Sequence, residues 1–224
     1  TGGGPHHGGL AWADGALMLD MSLMRGVWVD PERKVARAQA GCLLGDVDRE
    51  TQVHGLAAVL GFVSRTGIAG LTLGGGFGYL TRRWGWTSDN VTGMDLVTAE
   101  GRLVRASSDE NADLFWALRG GGGNFGVVTT FEFDLHPVGP TVQAGFFLWP
   151  TRSHGKQLAR GYRDWATGAP DELGSWLLMT TGPDEEWVPD HLKGEPVTMI
   201  AGMWVGDADE GHEYMDPLRH LEPH

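Results

Sequence analysis

GFVSRTGIAGLTLGGGFGYLTRRWGWTSDN, residues 61–90, decides how the rest of the chain reads. Seven glycines fall at 61, 67, 70, 74, 75, 76 and 78, with Ile68, Leu71, Leu73 and Phe77 among them. A flexible linker of this glycine density carries serine and other polar residues. Apolar residues between the glycines instead imply packed backbone that turns tightly. Glycine permits positive φ and has no side chain, so successive N–H groups can converge on an anion or a ring edge. A ligand cradle is the expected use of the stretch, with a tight structural loop as the alternative.

Upstream, residues 16–20, 27–30 and 34–39 read as short strands, with a turn at Asp30-Pro31. Residues 43–55 (LLGDVDRETQVHG) read as a helix closed by Gly55. Downstream, residues 94–98 and 103–106 flank Ala99-Glu100-Gly101-Arg102 as a hairpin. Ser108-Asp109-Glu110 reads as the cap of a helix over 112–119, with Leu114, Phe115 and Leu118 on one face. A second glycine loop, GGGNFG at 121–126, leads into VVTTFEFDL at 127–135. There Phe131, Phe133 and Leu135 alternate with Thr130, Glu132 and Asp134, the pattern of a half-buried strand.

The composition changes at His136-Pro137-Val138-Gly139-Pro140, which marks the expected boundary between domains 1–138 and 139–224. Beyond it, strands at 141–149, 173–181 and 197–205 and helices at 157–165 and 209–221 make a β-α-β-β-α order. That order implies an α+β layer on an antiparallel sheet.

Glycine makes up 36 of 224 residues, without the period of collagen, and 41% of the chain is hydrophobic, enough for a core. A net charge of −12 argues against nucleic-acid binding, and no apolar run is long enough to span a bilayer. The single cysteine, Cys42, excludes an internal disulfide and reads as a buried filler. His6-His7 lack the further ligands of a metal frame, so no metal is expected. The 121–126 loop matches G-x-G-x-x-G, but a helix precedes it and a strand follows, the reverse of a dinucleotide fingerprint. Ser64 lies outside any nucleophile elbow, and the sequon Asn90-Val91-Thr92 adjoins the glycine stretch.

Four blocks together resemble one family: GGGPHHGGLAWADGALMLDMSLMRGVWVDPE (2–32), GDVDRETQVHGLA (45–57), TGIAGLTLGGGFGYLTRRWGWTSDN (66–90) and DENADLFWALRGGGGNFGVVTTFEFDLHPVGP (109–140). They are similar to the FAD-linked oxidases of the berberine bridge enzyme-like group, in the vanillyl-alcohol oxidase superfamily with the PCMH-type FAD-binding fold. The resemblance implies an α+β FAD-binding domain followed by an incomplete antiparallel-sheet substrate domain. It places Gly2, Gly3 and Gly4 in a first pyrophosphate loop. It places Thr66, Gly67, Ile68 and Gly70, with Gly74, Gly75 and Gly76, along the pyrophosphate and flavin. Asn124, Gly126, Val127 and Val128 fall on the adenine side. Backbone N–H groups from such turns can hold a diphosphate without Lys or Arg, which suits an acidic chain.

Two positions depart from the family pattern. Pro5 stands where a histidine normally bonds the flavin, leaving His6 as the residue that could take over, and Val63 stands where some members carry a cysteine. A non-covalent FAD is therefore expected. The family extends beyond both ends of this chain, so a fragment is expected, and a cytoplasmic location is favoured. The implied activity moves hydride from a C–OH or C–N substrate (a sugar, an alcohol or an alkaloid-like molecule) to flavin N5, with O2 or another acceptor. Tyr162, Tyr214, Asp164 and Glu195 have the chemistry of a base but no motif to support them. A non-catalytic flavin-binding module, or a piece without cofactor, are the alternatives.

Overall fold

The computed structural model describes residues 14–207 and 209–221. The chain divides into two compact units between Pro140 and Thr141.

The N-terminal unit is built on β6 (Val127–Pro137), an eleven-residue strand whose side chains alternate between core and solvent. β2 (Val35–Gln39) and β4 (Val91–Val97) pair with it antiparallel, one on each side. β1 (Val27–Asp30) and β5 (Leu103–Ser107) form the edges, giving the order β1-β2-β6-β4-β5, and the short β3 (Leu56–Ala58) pairs with the far end of β6. On the core face, Phe131 and Phe133 are fully buried, and the register sets Ala38 and Ala36 of β2 opposite them. Small residues facing large ones let the rings fill the layer without overpacking. On the other face Arg37, Asp95, Arg105 and Glu132 form a charged lattice, with Arg105 3.3 Å from Asp95 and 3.1 Å from Glu132. Alternation in sequence thus becomes one dry and one wet face.

Helices α1 (Leu44–Gln52), α2 (Ile68–Leu73), α3 (Thr81–Trp84) and α4 (Ala112–Leu118) complete this unit. Leu44, Val47, Ile68, Leu73, Phe115 and Leu118 join the same core as the two phenylalanines. Two local expectations are corrected. Residues 16–20 form no strand, although the short apolar run reads as one. The cap of α4 is Asn111, in the left-handed region at φ 52°, with its Nδ2 donating to the Arg105 carbonyl, rather than a residue of the Ser108-Asp109-Glu110 group. Asn tolerates that conformation because its short amide bonds the local backbone.

The C-terminal unit runs β7 (Gln143–Pro150), α5 (Thr151–Ala166), β8 (Leu173–Thr181), β9 (Pro196–Trp204) and α6 (Gly211–Arg219). Its sheet order is β7-β9-β8, antiparallel throughout. Leu173, Ile200, Trp204, Met215 and Leu218 form its core, with Phe147, Trp149, Tyr162 and Trp165 packed against them. The α+β reading holds for both units.

Candidate functional site

The glycine stretch is not uniform backbone loop; its middle is α2. Ile68 N–H donates to the Cys42 carbonyl (3.0 Å) and Leu44 N–H to the Thr66 carbonyl (2.9 Å), which fixes where the helix starts. Ile68, Thr72 and Leu73 are its buried residues, spaced so that they share one side. Gly67 caps the helix, and a Cβ built on Gly70 meets nothing within 4 Å.

The later glycines divide by what their missing side chain makes room for. Gly76, at φ +70°, admits Thr87 and Leu71, whose nearest atoms would lie 2.6 and 2.9 Å from a Cβ there. A Cβ on Gly78 would collide with the Leu60 carbonyl. Both positions therefore serve close chain packing. Gly75, at φ +101°, accepts the Ser88 N–H on its carbonyl (2.8 Å) while its own N–H reaches Thr72.

The exit of the stretch is pinned by Asn90. Its Nδ2 donates to the carbonyls of Trp84 (2.9 Å) and Trp86 (2.8 Å), while its Oδ1 faces His136 Nε2 at 2.7 Å. Both amide hydrogens are spent, so the oxygen must accept and the imidazole must carry its hydrogen on Nε2. Trp84 stacks on that imidazole at 4.5 Å, and burial lowers the His136 pKa, which keeps the ring neutral. The Asn90 sequon is thus buried and hydrogen-bonded, leaving no amide hydrogen free for a sugar.

The second glycine loop approaches α2 directly. Gly122 N–H donates to the Leu73 carbonyl (2.9 Å), and Asn124 Nδ2 braces the loop by donating to the Gly121 carbonyl (2.8 Å). Gly126 sits at φ +144°, with the Val97 carbonyl oxygen only 2.6 Å from where a Cβ would stand. At Gly122 and Gly123 a Cβ would meet nothing within 4 Å. Beside this junction lies a cleft of about 400 Å³, lined by Ala69, Leu73, Gly123, Gly126, Val127 and Val128 among others. A second hollow, about 340 Å³, lies against Trp116, Arg119, Gly121 and Phe125.

Of the residues expected to bind cofactor, Gly126, Val127 and Val128 line the cleft, and Gly70 leaves open space beside α2. Thr66, Gly67 and Ile68 build the start of α2, Gly74, Gly75 and Gly76 form the turn after it, and Asn124 braces the loop. Gly2, Gly3, Gly4, Pro5 and His6 lie outside the described residues. Sequence reasoning missed Ala40 and the 17–21 segment as lining. Nothing in a strand-like run signals a wall.

The lining fits one ring of a dinucleotide. It contains no charged side chain, so a flat neutral ring can enter without stranding an ion, and the glycines leave backbone within reach. Among the described residues no cluster of three or more His, Cys, Asp or Glu could hold a metal. Three of the four base candidates have structural partners, and the fourth is at the surface. Tyr162 OH lies 3.1 Å from Ser175 Oγ, Tyr214 stacks on Trp204, Asp164 pairs with Arg163, and Glu195 is exposed.

Two carboxyls of α1, Asp46 and Asp48, are shifted from the ordinary aspartate range in opposite directions. Burial would raise Asp46, but the Arg25 guanidinium (2.7 Å) and the Leu43 amide (2.8 Å) outweigh it and hold the carboxyl below its usual range. Cys42 is buried, with its thiol pushed up to about 11 by desolvation, so it packs as a small inert hydrophobe. Burial alone raises Asp48 to about 6. Its folded pKa exceeds the ordinary value of 3.8, so the folded state binds the proton more tightly. That contribution is present below about pH 4 and is lost as pH rises through about 6. Asp48→Asn should therefore raise stability by about 1–3 kcal/mol at pH 8 and flatten the slope between these limits. Urea unfolding at pH 4, 6 and 8 checks both effects.

The FAD binding domain family model matches residues 1–107. A FAD-linked oxidoreductase of Dictyostelium discoideum is 36% identical over 212 residues, covering 95% of this chain and 44% of its own. The (R)-6-hydroxynicotine oxidase of Paenarthrobacter nicotinovorans is 44% identical over 199 residues, covering 86% of this chain and 43% of its own. The crystal structure of 6-hydroxy-D-nicotine oxidase from Arthrobacter nicotinovorans superposes with a TM-score of 0.81 at 35% identity, over 94% of this chain and 45% of that one. The chain is similar over most of its length to FAD-linked oxidoreductases, and its fold is the PCMH-type FAD-binding fold. It spans less than half the length of the curated relatives it matches.

Proposed function

We propose that this chain carries the FAD-holding part of an oxidoreductase that takes hydride from a C–OH or C–N carbon of a small molecule, with O2 or another acceptor completing the cycle. The observation that carries the reading is the junction of α2 with the second glycine loop. There the Gly122–Leu73 bond joins two glycine-rich segments at the edge of an uncharged cleft. When bound, FAD supplies the redox chemistry, and the protein binds and orients it.

The chain's own residues contribute shape and exclusion of water. Val127 and Val128 present an apolar wall, Gly123 and Gly126 keep side chains out of the opening, and Asn124 holds the loop's curvature. Gly70 leaves backbone accessible at α2. Pro5 and Val63 offer no nucleophile, so the cofactor is held without a covalent bond unless His6 supplies one. None of Tyr162, Tyr214, Asp164 and Glu195 is assigned as a base.

The purified chain mixed with FAD should remain yellow through gel filtration, and acid precipitation should leave the colour in the supernatant. A colourless protein would sink the cofactor reading, and a yellow pellet would sink the non-covalent one. The 44% relative's name makes 6-hydroxynicotine and related cyclic amines the first substrates to try. Anaerobic bleaching on their addition would show turnover, and a failure with amines and sugars alike would leave a flavin-binding module.

A further inference from the structure

Gly75 and Gly76 follow each other in the left-handed region, at φ +101° and +70°. Adjacent glycines are the freest backbone a chain can contain, so contacts outside them must select this conformation. Their carbonyls make those contacts: Gly76 accepts from the Thr87 N–H (2.9 Å) and Gly75 from the Ser88 N–H (2.8 Å). Thr87 and Ser88 open a 3-10 turn, Thr87–Asn90, that packs on α2. The Thr87 hydroxyl does not fix this turn, because it is fully buried and its Oγ1 has no hydrogen-bond partner. Asp89 Oδ2 accepts from the Trp86 N–H (2.9 Å) at the start of the turn, and Asn90 closes its end.

Asn90 reaches two ways. Its Nδ2 spans the Trp84 and Trp86 carbonyls, and its Oδ1 faces Nε2 of His136, 46 residues further along, at 2.7 Å. His136 is itself fixed. Its backbone pairs with Ala57 of β3 at the far end of β6, and its ring stacks on Trp84 with 14° between the planes. With an Nε2–H on its oxygen, the Asn90 amide has a single orientation that satisfies all three bonds. A run of hydrogen bonds thus joins the paired end of β6 to the glycine turn: His136 to Asn90, Asn90 to the tryptophan carbonyls, and Thr87 and Ser88 to Gly76 and Gly75.

We infer that His136 is a positioning residue for the Gly74–Gly76 turn. By donating to Asn90 Oδ1 it locks the amide that fixes Thr87–Asn90, and that turn holds the two glycine carbonyls. The lock itself needs no ligand. Its use, keeping a backbone edge preformed for the cofactor, rests on the FAD reading above.

The test crosses two substitutions in the whole chain. His136→Phe keeps a ring for Trp84 and loses the donor. His136→Gln loses the ring and keeps an amide N–H the same number of bonds from Cα. In His136→Phe the Thr87 and Ser88 amides should exchange about tenfold faster than in the parent, and in His136→Gln at close to the parent rate. The β2–β6 ladder should exchange as in the parent in both. A residue that only packs would give the opposite ranking, and that result, or no change in either variant, would overturn the lock. Should a variant loosen the ladder as well, NMR of the parent imidazole decides: a hydrogen on Nε2 supports the lock and one on Nδ1 overturns it. FAD affinity, followed by quenching of flavin fluorescence, should fall about tenfold in His136→Phe and recover in His136→Gln. Faster exchange with unchanged affinity would overturn the positioning role. A parent that binds no FAD would overturn the cofactor reading, while the exchange rates still decide the lock.

Discussion

Phe133→Ala should lower the unfolding free energy of the N-terminal unit by about 3–5 kcal/mol. Phe133 is fully buried in the middle of β6, pairs across the sheet with Ala36 and Val91, and lies 6.0 Å from the Phe131 ring. The alanines opposite cannot grow into the space, so the lost ring leaves a cavity as well as a lost transfer term. Urea unfolding with a probe in each unit reads the effect. The loss should fall on the transition of the N-terminal unit, and a change under about 1 kcal/mol would show that β6 is not the centre of that core.

Gly126→Ala should damage fold and site together. The position combines φ +144° with a Cβ that would stand 2.6 Å from the Val97 carbonyl and 3.2 Å from Leu96 Cδ1. Strain of this kind costs about 1–3 kcal/mol, and relief requires Val127 to shift, moving the cleft wall and the first pair of the β4–β6 ladder. Gly123→Ala is the matched contrast. Its Cβ meets no protein atom, so stability should stay within about 0.5 kcal/mol while the methyl intrudes on the cleft. FAD affinity should fall in both variants and stability only in the first. Equal stability losses would show that the loop is packed as tightly at Gly123 as at Gly126.

The elements that were legible in the sequence were those whose pattern is local. VVTTFEFDL alternates, and β6 alternates; the 99–102 turn joins two strands, and β4 and β5 pair across it. The β-α-β-β-α order of the second unit was readable for the same reason. Residues 16–20 misled because a strand is defined by a partner as well as a pattern, and the described sheet ends at β1. α2 was hidden by composition. Gly70 weakens helix propensity, and only the burial of Ile68, Thr72 and Leu73 against the core tips the balance. The α4 cap was misplaced because a run of Ser, Asp, Glu and Asn offers several oxygens, and the left-handed Asn111 is chosen by the chain's direction out of β5.

The site was legible as glycines and not as walls. Sequence marked where side chains are missing, and Gly126, Val127 and Val128 fall on the lining of the cleft. It could not separate glycines that admit a ligand from those that admit Thr87, Leu71 or Leu60, because that depends on what folds against them. The Gly122–Leu73 bond joins segments 49 residues apart, and no spacing rule reaches that far.

Amide hydrogen exchange of the chain with and without FAD tests the central claim most directly. The account predicts slowed exchange on FAD addition at residues 67–76 and 121–128, together and saturating with the same FAD dependence. Bound FAD that leaves both segments unchanged, while protecting amides elsewhere, would contradict it.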